Sequence, residues 1–200
     1  MPRENWNTYV NFWVIGKNMK DSTDMQRLLD TLKAWKRRTI ELDHSSAWKM
    51  AHALAEAHYL PAMDFFVSGL NDSDWVWRQD CVQFLGFHYQ LDKEIVEKIR
   101  ETLMTDPSEE VRISAASVLG RRSSVPDQAL FHALESDPSH FVREAAFESV
   151  LELIGIPYKA TNREIKRLKA GDIQPTLEYV KQIARSENIE LPGDVLLRSE

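Results

Sequence analysis

Residues 106–120 read D-P-S-E-E-V-R-I-S-A-A-S-V-L-G, and the pattern returns at residue 137 as D-P-S-H-F-V-R-E-A-A-F-E-S-V-L. A looser copy starts at Asp72 and reads D-S-D-W-V-W-R-Q-D-C-V-Q-F-L-G. The leading aspartates are separated by 34 residues (72 to 106) and by 31 residues (106 to 137). Self-similarity at such a period is the signature of a solenoid, in which repeated units stack on one another.

The spacing inside each copy is that of a helix with one packed face. A basic residue follows the leading aspartate by six positions, which gives the pairs Asp72/Arg78, Asp106/Arg112 and Asp137/Arg143. Small or apolar residues then stand three, four and seven positions after the arginine, as a buried helical stripe requires. Each copy therefore predicts one motif helix, and the residues between copies predict a shorter companion helix.

Further helices are predicted around these copies. Residues 43–49, D-H-S-S-A-W-K, are interpreted as a degenerate first copy with Lys49 in the arginine position, although Glu56 interrupts its apolar stripe. Gly86 and Gly120 are expected to end their motif helices. Companion helices are predicted over 61–70, 92–104 and 126–135.

The predicted domain organisation is a single domain over residues 1–200. Residues 1–42 form an N-terminal cap and first helix, residues 43–157 form the repeats, and residues 158–200 form cap helices and a tail. Residues 1–20 fit either a helical stripe or one face of a strand, and a helix is favoured because a terminal repeat needs cover. Helices are also predicted over 162–170 and 175–185, and the tail 187–200 is expected to be extended.

Composition favours an ordinary soluble protein. Cys81 is the one cysteine, so no disulfide forms within the chain and a reducing cytoplasm is the expected compartment. No secretory signal and no apolar run of about 20 residues is seen. Residues 43–157 carry nine Lys/Arg against nineteen Asp/Glu, a balance of −10. Such a surface repels phosphate backbones, so we expect neither a nucleic acid nor a membrane as partner.

The string D-P-S-x-x-V-R-x-x-A-A-x-x-L-G resembles the short HEAT-like repeats, the type also found in phycobilisome lyase subunits. The resemblance covers about residues 23–155 and implies an all-α fold, an α-solenoid of HEAT-like helix pairs (α-α superhelix). It also implies a structural ladder, in which aspartates bridge to arginines within or between repeats. The ladder residues carried over are Asp72, Arg78, Asp106, Arg112, Asp137 and Arg143.

Two enzyme functions are alternative interpretations of the sequence, and both rest on resemblance alone. A chromophore lyase is one alternative. A HEAT-like DNA glycosylase, which uses Trp and Asp on such helices, is another. Here Trp77 falls on a core position by register, and Asp80 is expected on the outer side. Cys81 takes a core position too.

No metal site is predicted. His52 and Glu56 share a helix face, but His58 points away from it, and H-E-x-x-H is absent. No histidine is followed by Glu, unlike in the HEAT-like enzymes that hold two irons through His-Glu pairs. We therefore assign no catalytic residue, no metal ligand and no cofactor.

The outer face of the motif helices carries the functional hypothesis. The positions two before the arginine and one, five and nine after it lie together, away from the core. The partner-binding residues predicted there are Val76, Gln79, Gln83, Phe87, Glu110, Ile113, Phe141, Glu144, Glu148 and Glu152, with Ser117 and Arg121 beside them. This face is either an ordinary solvated surface or a protein-binding groove, since apolar groups rimmed by acid are typical of the latter.

The predicted function is that of a non-catalytic protein–protein interaction module: an adaptor, scaffold, assembly factor or inhibitor, of which an immunity protein is one kind. The expected partner is another protein with a basic or mixed basic/apolar surface, and the oligomeric state stays open. An aromatic-lined pocket containing an acid would favour an enzyme instead. A broad open groove would favour the binding module.

Overall fold

The computed structural model describes residues 22–122 and 127–191. These segments contain helices and loops and no β-strand. The ten α-helices of the described part are α1 (Ser22–Lys36), α2 (His44–Glu56), α3 (Met63–Gly69), α4 (Trp75–His88), α5 (Lys93–Thr105), α6 (Glu109–Arg122), α7 (Gln128–Ser136), α8 (His140–Leu153), α9 (Tyr158–Ala170) and α10 (Leu177–Ser186). A 3-10 turn, Leu60–Ala62, precedes α3.

The fold is an all-α solenoid. The motif helices α2, α4, α6 and α8 pack in series, each against the next along the chain. The companion helices α3, α5 and α7 pack against α4, α6 and α8 respectively. The core lies between these layers and contains Phe66, Trp77, Leu119 and Phe147, each nearly inaccessible to solvent. Helix α1 covers α2 at one end, and α9 and α10 cover α8 at the other.

The Asp-Pro-Ser turn both ends a companion helix and starts a motif helix. Asp106 is the C-cap of α5, and Asp137 is the C-cap of α7. Their carboxylates then accept the backbone N–H groups of Ser108 and Ser139, both at 2.8 Å. Ser139 in turn caps α8, because its hydroxyl accepts from the backbone N–H groups of Phe141 and Val142 in the first turn of that helix. One short motif therefore fixes the reversal between two helices.

Gly86 and Gly120 do not end their helices, contrary to the prediction. Helix α4 continues to His88 and α6 to Arg122. A Cβ atom on Gly86 would lie 2.2 Å from a methyl carbon of Val118, and one on Gly120 would lie 2.5 Å from the Cβ of Ser149. These glycines are needed because neighbouring motif helices approach closely there.

The first copy is shifted relative to its predicted register. Asp43 is the N-cap of α2 and accepts the backbone N–H of Ser46 at 2.9 Å. It therefore corresponds to Asp74, the N-cap of α4, and not to Asp72. Lys49 is exposed in consequence, and Glu56 falls on the exposed side as well. The prediction of Lys49 in the arginine position is wrong.

The predictions for the two terminal segments can be compared with the structure only in part. The predictions for residues 1–20 and for the last nine residues of the tail lie outside the described residues. Helix α9 begins at Tyr158, four residues earlier than predicted, and α10 begins two residues later than predicted. Within the described segments, no helix is long and apolar enough to cross a membrane.

Candidate functional site

The predicted ladder residues meet between successive repeats. Arg78 donates through Nε and Nη2 to the two carboxylate oxygens of Asp106, at 2.7 and 2.8 Å. Arg112 binds Asp137 in the same way, at 2.8 and 3.0 Å. Both pairs are largely buried, with side chains 10% and 6% exposed. These bidentate pairs tie one repeat to the next.

Each ladder arginine also binds the turn of its own repeat. Nη1 of Arg78 donates to the carbonyl oxygen of Asp72 at 2.8 Å, and Nη1 of Arg112 donates to that of Asp106 at 2.8 Å. The hydrogen bonds to the aspartates raise the pKa of both arginines, so each guanidinium stays charged despite burial. The two guanidinium groups are thus permanent charges within the ladder.

The ladder has an N-terminal end that the sequence reasoning missed. Lys36, at the end of α1, places its ammonium 2.6 Å from a carboxylate oxygen of Asp72. The same ammonium lies over the rings of Trp35 and Trp77, at 5.0 and 5.3 Å from their centroids. The only sequence signal was a lysine in the last turn of α1, which also fits the helix dipole and therefore pointed to no particular partner.

The predicted partner-binding residues lie on α4, α6 and α8, and together they are called here the motif-helix face. None of the ten is fully buried. Five are exposed, namely Phe87, Glu110, Phe141, Glu148 and Glu152, and the other five are half-buried. Phe141 is the most open apolar side chain of the face, with 59% of its surface exposed, and Phe87 follows with 39%.

The centre of the face is polar and internally bonded. The side-chain amides of Gln79 and Gln83 each donate to the hydroxyl of Ser114, at 3.2 Å. Arg121 lies over the ring of Phe87, with its guanidinium carbon 5.2 Å from the ring centroid. These contacts connect α4 with α6.

The three glutamates of α8 are not equivalent, although their spacing had suggested so. Glu144 is only 16% exposed and lies 3.3 Å from the ammonium of Lys169 on α9. Glu148 and Glu152 are exposed, and among the described residues neither has an ion-pair partner. The unpaired acidic groups of this helix are therefore Glu148 and Glu152.

Asp80 lies between α2 and α4, not on the outer side as predicted. Its carboxylate is 3.0 Å from Nε2 of His44. Burial raises the pKa of Asp80, and the nearby His44 opposes that shift. Trp48 and His52 follow His44 along α2, and their rings stack with centroids 4.8 Å apart. The side chain of Asp80 is only 12% exposed, so its neighbours enclose most of it.

Cys81 and His88 are two groups whose pKa burial shifts. Cys81 is buried, and burial raises the pKa of its thiol well above the ordinary value, so it is held as a neutral thiol. Burial lowers the pKa of His88, whose ring lies edge-on to that of His52 at 5.4 Å. Among the described His, Cys, Asp and Glu side chains, no group of three is arranged to hold a metal ion.

Two cavities lie away from the motif-helix face. One of about 340 Å³ lies beside the Arg78–Asp106 pair and is lined by polar side chains such as Lys98, Glu101 and Thr102. Another, of about 500 Å³, is an open groove along α9 between Tyr158 and Arg167. No residue of the motif-helix face lines either of these two cavities.

Comparison with known proteins identifies the repeats. A family model described as HEAT repeats matches residues 63–151, which span α3 to α8. Residues 63–151 therefore carry HEAT-like repeats, which confirms the predicted repeat type, whereas the phycobilisome lyase type is not confirmed. No curated protein matches the chain.

Proposed function

We propose that this HEAT-repeat chain binds another protein on its motif-helix face and acts as a non-catalytic adaptor, assembly factor or inhibitor. The observation that carries the proposal is the open setting of Phe141, 59% exposed, on the same helix as the unpaired Glu148 and Glu152. The partner is a protein with a basic or mixed basic/apolar surface. Because Cys81 is a free thiol, a reducing cytoplasm is the compartment we assign.

The apolar part of the face supports an interface rather than a plain solvated surface. Single exposed apolar residues are common on proteins and mean little. Here Phe87 and Phe141 are both exposed, and Val76 and Ile113, predicted for the same face, are half-buried. Aromatic side chains are enriched at interfaces because they bury a large area when a partner covers them.

The charged part of the face indicates which partners fit. Glu110, Glu148 and Glu152 are exposed on it. The hydrogen bond from the Ser108 hydroxyl lowers the pKa of Glu110, so this carboxylate stays ionised near neutral pH. The ammonium of Lys169 forms an ion pair with Glu144, and the guanidinium of Arg121 lies over the ring of Phe87. The remaining acidic groups favour association with a cationic surface.

The enzyme alternatives receive less support from the site. A base-excising or chromophore-transferring enzyme needs an acid or another reactive group in a pocket that admits its substrate. Asp80 is instead buried against His44, and Trp77 is fully inside the core. Trp75 is exposed by 43% at the start of α4, where a solvent-facing helix end explains it equally well.

A photo-crosslinking experiment tests the proposal. A benzoylphenylalanine at position 141 or 87 should capture the same protein from a lysate of the source cells. The matched control is position 158, where Tyr158 is 78% exposed on α9, outside the face. Excess unlabelled protein should abolish capture, whereas excess Phe141→Ala protein should compete poorly. Capture that is equal at all three positions would reject the face as the binding site.

A further inference from the structure

Three arginines of the ladder share one pose, and the third lacks the ligand that the other two have. Nη1 of Arg143 donates to the carbonyl oxygens of Asp137 and Pro138, at 2.7 and 3.3 Å. Nη1 of Arg78 binds Asp72 and Ser73 in the same way, at 2.8 and 3.4 Å. In Arg78 and Arg112 the opposite edge of the guanidinium, formed by Nε and Nη2, donates two hydrogen bonds to a carboxylate of the next repeat.

The missing ligand has a local cause in the chain. The carboxylates of the inner rungs belong to Asp106 and Asp137, each the C-cap of a companion helix. The corresponding C-cap of α9 is Gly171, which takes a left-handed conformation with φ 79°. Among the described residues, Arg143 accordingly has no carboxylate within ion-pair distance.

We propose that the Nε–Nη2 edge of Arg143 is a binding site for a carboxylate from a partner protein, which completes the ladder as Asp106 and Asp137 do inside the chain. The fitting ligand is an aspartate or glutamate side chain at a helix end or turn. It lies in the guanidinium plane and accepts two parallel hydrogen bonds. The site is separate from the motif-helix face, because it lies at the edge formed by the Asp-Pro-Ser turns.

Two features distinguish this arginine from an ordinary surface cation. The carbonyl oxygens of Asp137 and Pro138 hold its guanidinium, so less side-chain freedom is lost when a ligand binds. The two inner rungs show, in the same chain, that the free edge accepts a planar carboxylate. A single half-exposed pair binds weakly, so the site is one docking point within a larger contact.

Nuclear magnetic resonance of the arginine Nε–H groups tests this inference in the full-length protein. The probe is the peptide acetyl-Asp-Pro-Ser-amide, and the control peptide carries Asn in place of Asp. Only the Arg143 signal, assigned by its loss in Arg143→Lys, should shift saturably with the Asp peptide. The Arg78 and Arg112 signals serve as internal references and should stay unchanged. Sodium chloride at equal ionic strength should cause no shift.

Three results would overturn the inference. In the first, the Arg143 signal does not shift at millimolar Asp peptide. In the second, inorganic phosphate shifts the signal as much as the Asp peptide does, which means that the site binds any anion. In the third result, the Arg143 signal of the ligand-free protein already has the chemical shift and the slow hydrogen exchange of the Arg78 signal, which means that the chain itself fills the site. None of these results bears on partner binding at the motif-helix face, so the two proposals fail separately.

Discussion

Arg112 shows how a single residue carries the geometry of two repeats. It binds a main-chain carbonyl of its own turn and both carboxylate oxygens of the following turn. Removing charges from water is costly, and a buried ion pair adds little net stability over well-packed apolar groups. The Arg112–Asp137 pair contributes mainly to geometry, because its two parallel hydrogen bonds fix the distance and the rotation between neighbouring turns.

The ladder gives a paired prediction on stability. Arg112→Ala should lower the free energy of unfolding by about 1–3 kcal/mol, because it leaves the buried carboxylate of Asp137 without its main donor. Arg143→Ala is the matched control and should cost less than about 1 kcal/mol, since no ion pair of the described chain is lost. Urea denaturation followed by circular dichroism measures both values.

Arg112→Lys sharpens that test. A lysine keeps the charge but cannot span two carboxylate oxygens in a plane, so it should restore only a small part of the lost stability. Equal urea midpoints for Arg112→Ala and Arg143→Ala would show that the inner rung contributes no more than the open one.

At the scale of helices, close contact between motif helices depends on glycine. Gly86 on α4 faces Val118 on α6, and Gly120 on α6 faces Ser149 on α8, so the same contact recurs one repeat later. Ser149 also donates from its hydroxyl to the carbonyl oxygen of Ala116 at 3.1 Å. The recurrence indicates that helix separation along the array is set by these small residues.

Gly86→Ala should therefore destabilise the fold by about 1–3 kcal/mol through overpacking, although alanine is the better helix former. The cost should fall by at least about 1 kcal/mol in a Val118→Ala background, because that change removes the methyl groups which the new Cβ meets. A double-mutant cycle in urea measures this coupling. If Gly86→Ala is neutral or stabilising in both backgrounds, the close approach of α4 and α6 does not exist.

The helices and their phase were predictable from sequence because the repeat aligns aspartate, arginine and small residues at helical spacing. The glycines were misinterpreted because a C-cap and a close helix contact both demand glycine at the same place in the repeat. The register of α2 was missed because any aspartate near a helix start serves equally as ladder residue or N-cap. The pairing of Asp80 with His44 depends on how α2 packs on α4, which spacing within one helix does not encode.

The candidate site was partly predictable for the same reason. Spacing at 100° per residue placed the ten face residues on one side, and none of them is fully buried. It did not reveal that Lys169 neutralises Glu144, since α9 lies outside the repeat pattern. Contacts between the repeats and the end helices therefore change the charge of the face without leaving a trace in the motif.

Over the whole molecule, charge is divided between an acidic repeat block and more basic flanks. Residues 43–157 have a balance of −10, whereas residues 158–185 carry seven Lys/Arg against three Asp/Glu. Several of these basic groups are used internally, as when Arg163 and Arg167 bind the buried Glu164 on α9. Under the proposed function, the acids of the motif-helix face are the part of this division that an approaching cationic protein would meet.

This arrangement predicts separate effects of charge and apolar contact on partner binding. Glu148→Lys with Glu152→Lys should slow association with the captured partner by about tenfold and remove its salt dependence, because steering acts on the encounter rate. Phe141→Ala should instead speed dissociation, by roughly tenfold or more if its ring is a buried anchor.

The matched control is Glu101→Lys with Glu135→Lys, which makes the same change in net charge on the companion helices α5 and α7. Surface plasmon resonance at two ionic strengths separates the rates, and circular dichroism checks that each variant is folded. If the control slows association as much as the face variant does, only net charge matters; if Phe141→Ala leaves dissociation unchanged, the partner does not cover the aromatic end of α8.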